Sequence, residues 1–124
     1  MAKILLIEDD PDQVMLYSIK FKMEGLDLIC AYNGREGLEM ARREKPQLIL
    51  SDVVMNNMDG MEMLKQLKAD PKIKDIPVVM LTNLNKKELK EKAKELGAKD
   101  FWAKTEVMPQ EVANRVKKML KIVK

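Results

Sequence analysis

The sequence predicts an α/β protein: a doubly wound, five-stranded parallel sheet in the order 2-1-3-4-5, carrying five helices. Short apolar runs such as "ILLI" and "PVVML" alternate strictly with longer amphipathic segments. Such alternation folds into parallel strands joined by right-handed crossovers. Asp or Asn three residues before Glu or Gln marks four of the proposed helix starts, a capping-box pattern that satisfies free backbone N–H groups. The 124 residues make one domain, expected to span 1–124, and bury roughly two-thirds of the unfolded surface.

The first strand is expected at 3–7, after which "DPDQ" opens a helix with Asp10 as cap and Pro11 at the favoured first position. The second strand, 26–31, contains Cys30, which reads as a small buried residue; "NGRE" at 33–36 opens the next helix. The third strand, 47–51, runs into Asp52, and "DGME" at 59–62 starts the third helix. Met55, Met58, Met61 and Met63 crowd this region and read as packing residues. The fourth strand is expected at 76–81, followed by "NKKE" at 85–88 and a narrow stripe of Leu89, Ala93 and Leu96. The fifth, 100–103, holds Phe101, expected in the core or an interface, and Trp102, expected on the surface or facing a partner. In the last helix Val112, Val116, Met119, Leu120 and Val123 fall on one face.

Composition removes several classes of function. The formal charge of +3 is too mild to demand nucleic acid, and no apolar run approaches membrane-spanning length. The start of the chain lacks the apolar core of a signal peptide, and one cysteine allows no internal disulfide, so a cytoplasmic protein is expected. There are no histidines, which excludes histidine-based triads, acid–base catalysis and metal sites. Chemistry must come from carboxylates, lysine and hydroxyls.

Ligands of open α/β sheets bind beyond the carboxyl ends of the strands, where the strand order reverses. Glu8, Asp9 and Asp10 follow strand 1, Asp52 follows strand 3, Thr82 strand 4 and Lys104 strand 5. Glu8, Asp9 and Asp52 should therefore converge and repel, at about 4 kcal/mol for a pair 4 Å apart in a dielectric of 20. An all-oxygen donor set suits Mg²⁺ or Mn²⁺. Lys104 and Thr82 would then hold phosphoryl oxygens while Asp52 serves as nucleophile and forms an acyl phosphate. Asp10 reads as a helix cap.

At these residues the chain resembles a bacterial two-component response-regulator receiver domain, a flavodoxin-like fold, over its whole length. "ILLIEDD" is similar to the family's first strand and acidic pair, and "LILSDVVMNNMDG" to its phosphoacceptor loop. "PVVMLTN" resembles the hydroxyl-bearing strand end, and "GAKDFWAKT" the strand with the aromatic switch and the lysine. The separations also fit: 43 residues from Asp9 to Asp52, 30 to Thr82 and 22 to Lys104. The resemblance implies phosphoryl transfer to Asp52 from a sensor histidine kinase or phosphotransfer protein. It implies that the backbone carbonyl of Val54 joins Glu8, Asp9 and Asp52 around the metal. Thr82 and Phe101 would switch, Phe101 turning inward on phosphorylation and altering the face made by helix 4, strand 5 and helix 5. No output domain follows, so the expected output is control of a protein partner or onward relay of phosphate, without direct nucleic-acid contact or membrane insertion.

The chain departs from the family at three places. Thr105 replaces the proline that usually follows the lysine, so the Lys104–Thr105 bond is expected to be trans. Asn56 stands where the phosphoacceptor loop usually has proline. Asn83 occupies a position that generally holds a small residue and, with Val54, lines the path of an attacking water; slow hydrolysis is expected. Thr105 and Asn56 favour the alternative of a degenerate receiver, a phosphorylation-independent protein-binding module. A small-molecule phosphohydrolase fits less well because Val54 stands where a second acid is needed. Three adjacent acids after strand 1 disfavour a flavin phosphate site. Beyond turning over its own aspartyl phosphate, the chain is not expected to be an enzyme.

Overall fold

The computed structural model describes residues 2–55 and 58–121. Asn56 and Val123, both used above, lie outside the described residues. Five parallel strands, β1 (Lys3–Ile7), β2 (Asp27–Ala31), β3 (Leu48–Ser51), β4 (Val78–Thr82) and β5 (Asp100–Ala103), form one sheet in the order β2-β1-β3-β4-β5. Between and after them lie α1 (Pro11–Met23), α2 (Gly34–Glu44), α3 (Gly60–Ala69), α4 (Lys87–Glu95) and α5 (Pro109–Met119). The expected architecture is the observed one.

Strand alternation sorts side chains to the two faces. Leu5, Ile7, Ile49, Val78, Met80 and Phe101 point to the side covered by α2, α3 and α4. Ile4, Leu6, Leu48, Leu50, Val79, Leu81 and Trp102 point to the side covered by α1 and α5. Each such side chain, fully buried, is worth about 1.5–3 kcal/mol relative to exposure.

This alternation corrects one expectation. Trp102 is not a surface residue: it is 5% exposed, beneath α5, with the Arg115 guanidinium 5.3 Å from its ring centroid. Adjacent strand residues face opposite sides, so Phe101 and Trp102 cannot share an environment, and both sides of β5 carry a helix. Cys30 is half-buried rather than buried, because β2 is an edge strand. Met55, Met61 and Met63 are core residues, as expected.

Three strand starts shift inward, β2 from 26 to Asp27, β3 from 47 to Leu48 and β4 from 76 to Val78, where Pro77 has no N–H to give. β4 gains Thr82 at its end. Caps form at Asp10, Asn33 and Asp59, whose side chains accept from the N–H groups of Asp12, Glu36 and Glu62. The fourth expected cap does not form. Lys86 stands at that position without a side-chain bond, and the Asn85 amide instead donates to Glu106 Oε2 at 3.2 Å. No helix among the described residues is long and apolar enough to cross a membrane.

Candidate functional site

The site lies where the strands end. Ile7 is paired with Ser51, and Thr82 with Ala103, so the residues just beyond these pairs emerge side by side. Glu8, Asp9, Asp52, Val54, Thr82, Asn83 and Lys104 all line one cavity of about 330 Å³. Asp10, the cap of α1, Gln13 in its first turn, and Leu84 complete its rim.

Backbone bonds fix Asp52. Its N–H donates to the Ile7 carbonyl at 3.0 Å, its Oδ1 accepts from Val53 N–H at 2.7 Å, and its carbonyl accepts from Ser51 Oγ at 3.0 Å. The Gly60 N–H donates to the Val53 carbonyl at 2.7 Å, which closes the loop behind it. Gly60 is demanded by space: a Cβ there would stand 2.0 Å from the Asp52 carbonyl oxygen.

Carboxylate oxygens of Glu8, Asp9 and Asp52 lie within 4.8 Å of one another. The cluster offers oxygen donors only, which suits a hard divalent cation. Lys104 reaches in from the opposite side, paired with Glu8 and 3.6 Å from Asp52 Oδ2, its side chain 7% exposed. Its peptide bond to Thr105 is trans, as expected. The lysine is held in place without proline, because its N–H donates to the Thr82 carbonyl at 2.7 Å and a tight turn onto the Ala103 carbonyl follows. Thr82 Oγ1 is buried and accepts from Leu84 N–H at 3.2 Å, leaving its own proton to give.

Burial pushes the Glu8 carboxyl above the usual range; Lys104 counters this and the Asp52 charge adds to it. A residue the sequence reading passed over feels the same charges. Tyr17, 2% exposed on α1, is pushed up to about 12, first by burial and then by Glu8 and Asp52. The inward stripe Val14, Tyr17, Phe21 of α1, starting just after the acidic pair, was the available signal. A phenol whose folded pKa exceeds its unfolded value contributes stability below the unfolded pKa and loses it as pH rises through the folded one. About 2–3 kcal/mol should therefore be lost between pH 10 and 12. Alkaline denaturation of Tyr17→Phe beside wild type is expected to lack that component.

The cap role expected of Asp10 is observed. Its side chain accepts from Asp12 N–H at 2.9 Å, and its own N–H donates to Glu8 Oε2 at 3.2 Å. Phe101 lies outside the acidic cavity. Its ring is already turned in, 8% exposed, beside a separate cavity of about 170 Å³ formed with α4. β5 alternation aims Phe101 at the α3–α4 side.

Comparison with known proteins places these features in context. Residues 4–117 match the family model described as the response regulator receiver domain. The chain is 33% identical over 104 residues to Protein PilH of Pseudomonas aeruginosa, covering 84% of this chain and 86% of that one. It is 38% identical over 119 residues to the alkaline phosphatase synthesis transcriptional regulatory protein PhoP of Bacillus subtilis, covering 96% of this chain but 48% of that protein. Among solved structures, the Mn²⁺-bound form of the response regulator Rcp1 superposes with a TM-score of 0.84 at 25% identity, covering 100% of this chain and 98% of the other.

Proposed function

The chain belongs to the response regulator receiver domain family, and from that premise we propose that it is a phosphoacceptor signalling switch. In this reading Asp52 takes a phosphoryl group from a sensor histidine kinase or phosphotransfer protein in the cytoplasm. The observation that carries it is the convergence of Glu8, Asp9, Asp52, Thr82 and Lys104 on one cavity.

The donor set fits Mg²⁺ or Mn²⁺, which Glu8, Asp9, Asp52 and the Val54 carbonyl would hold; the ion supplies positive charge for the phosphoryl oxygens. The Asp52 carboxylate attacks phosphorus, the phosphorus–nitrogen bond of the donor phosphohistidine breaks, and the imidazole leaves with the electron pair. Lys104 Nζ and the Thr82 hydroxyl receive the phosphoryl oxygens, which compete for the pairs that Lys104 makes with Glu8 and Asp52. Movement of Thr82 toward the phosphoryl group changes the end of β4 and thereby the α4–β5–α5 face, through which a downstream protein is controlled or phosphate is relayed. Phe101 would turn further inward as Thr82 moves, altering its packing against α4. The family includes chains with very different surroundings, since this chain spans most of PilH but less than half of PhoP.

The rim of the site also suits a protein donor. Met15, Leu16, Ile19 and Met23 on α1 are 64%, 47%, 56% and 65% exposed. They fall on one helical face, on the helix whose first turn borders the cavity. Exposed apolar stripes of this kind mark protein contacts.

A phosphorylation-independent binding module is disfavoured by Lys104, which still reaches both carboxylates despite Thr105. Intact mass after incubation with acetyl phosphate, with and without Mg²⁺, tests the reading. One Mg²⁺-dependent phosphoryl adduct is expected, and no adduct would favour the binding module.

Asn83 and Val54, the latter 60% exposed, flank the approach to Asp52. Asn83→Ala should open the path for water and speed loss of the phosphoryl group about fivefold, a change of about 1 kcal/mol in barrier. An unchanged decay rate of the adduct would show that Asn83 does not shield the phosphoryl group.

A further inference from the structure

We propose that the first turn of α2 braces the phosphoacceptor, with Gly34 and, more weakly, Gly37 as positioning residues for Asp52; this rests on the phosphoacceptor reading above. Gly34 is buried at the first position of α2, and its backbone is not left-handed, so no conformational demand accounts for the glycine. Room accounts for it. A Cβ at position 34 would stand 2.4 Å from the Met58 carbonyl oxygen and 3.0 Å from Met58 Cβ. That carbonyl is backbone of the segment 58–60 leading into α3, and it yields only if that segment moves.

The segment is pinned on its other side too. Two residues beyond Met58, Gly60 lies against the Asp52 carbonyl and donates its N–H to the Val53 carbonyl. A push at Met58 therefore passes through Asp59 and Gly60 to the backbone of Asp52 itself. The wall behind Met58 is stiff, since Asn33 Oδ1 accepts from Glu36 N–H at 2.9 Å and Glu36 Oε1 accepts from Tyr32 N–H at 2.8 Å. One turn along, a Cβ at Gly37 would stand 2.4 Å from Ile7 Cδ1, and Ile7 is the residue whose carbonyl holds the Asp52 N–H. A single helical turn thus touches both the segment that follows Asp52 and the strand residue that anchors it.

Gly34→Ala requires a retreat of roughly 1 Å to restore ordinary carbon–oxygen contact. Misplacement of that size costs up to about 100-fold in rate. The test compares wild type, Gly34→Ala and Ala41→Gly; the last weakens α2 without pressing on the segment. Thermal midpoint, initial rate of adduct formation from acetyl phosphate in Mg²⁺, and the Mn²⁺ dissociation constant are measured where each protein is folded. Gly34→Ala is expected to lose about 10–100-fold in rate and about 10-fold in Mn²⁺ affinity. Ala41→Gly should stay within about twofold on both, whatever its midpoint.

A Gly34→Ala protein within twofold of wild type on both readouts would overturn the brace and leave the phosphoacceptor reading intact. Should that variant not fold, Gly37→Ala replaces it. Its Cβ meets the flexible end of Ile7, so losses of about threefold are expected, and none would overturn the proposal. A wild type that takes no phosphoryl group but binds Mn²⁺ removes the phosphoacceptor reading, and the Mn²⁺ ratio still decides the brace. A wild type that does neither overturns both.

Discussion

Asp52→Asn is expected to gain no phosphoryl mass from acetyl phosphate at any Mg²⁺ concentration and, in EDTA, to melt higher than wild type. The first effect is chemical: an amide oxygen is not a competent nucleophile, and no other carboxylate of the cluster is fixed by the same backbone bonds. The second follows from charge. At an effective dielectric of 20, two repulsions within 4.8 Å cost at least about 7 kcal/mol, and one attraction at 3.6 Å returns about 4.6. Repulsion wins by about 2 kcal/mol, less after solvent screening at Asp9. Asparagine keeps the Oδ1 that accepts from Val53 N–H, so the loop is retained. A gain of about 1–2 kcal/mol, or about 3–8 °C, is expected in EDTA. Mg²⁺ should raise the wild-type midpoint and leave that of the variant nearly unmoved. A variant that melts lower than wild type in EDTA would mean that the Lys104 attraction, not carboxylate repulsion, dominates at Asp52.

That a carboxylate ends β3 was legible because its consequences were one-dimensional. Once the strands are ordered, the residues at and just beyond each strand end have one place to go, and Glu8, Asp9, Asp52, Thr82 and Lys104 follow from counting. The caps at Asp10, Asn33 and Asp59 were legible for the same reason, being local bonds between near neighbours. Asn85 carried the same local pattern and failed, because α4 starts at Lys87 with Lys86 at the cap position, one residue beyond Asn85, whose amide donates to the distant Glu106. Trp102 failed through neglect of strand period rather than lack of signal. The seating of Phe101 and the charges felt by Tyr17 depend on how α4 and α1 lie on the sheet, which no local pattern encodes. Gly34 belongs to the same class: "NGRE" announces a helix start, and only the fold shows which backbone atom stands against it.

Lys104→Met should be the most damaging change that leaves every carboxylate in place. The ammonium is buried with Glu8, whose side chain is 3% exposed, and lies beside Asp52, 12% exposed. Removing one partner of a buried pair leaves the other uncompensated, at about 3–5 kcal/mol. Here that penalty adds to a cluster already short of positive charge, so the variant should melt far below wild type in EDTA. A divalent ion replaces the missing charge and stabilises by about 2.7 kcal/mol at a hundred times its dissociation constant. The rise in midpoint on adding Mg²⁺ should therefore be larger in the variant, where no ammonium competes. Lower pH should also relieve it. Burial and Asp52 already hold the Glu8 carboxyl above its ordinary range, and loss of the opposing lysine moves it further up. Such a group favours the folded state below its unfolded pKa and loses that contribution as pH rises through the folded value. The deficit relative to wild type should thus be smallest in acid and widen toward neutrality. Phosphorylation would suffer separately, by about 100-fold, because a donor to the transferred oxygens is gone. Full stability in EDTA at neutral pH, with an unchanged response to Mg²⁺, would mean that Lys104 serves the chemistry alone and leaves the apo cluster to water.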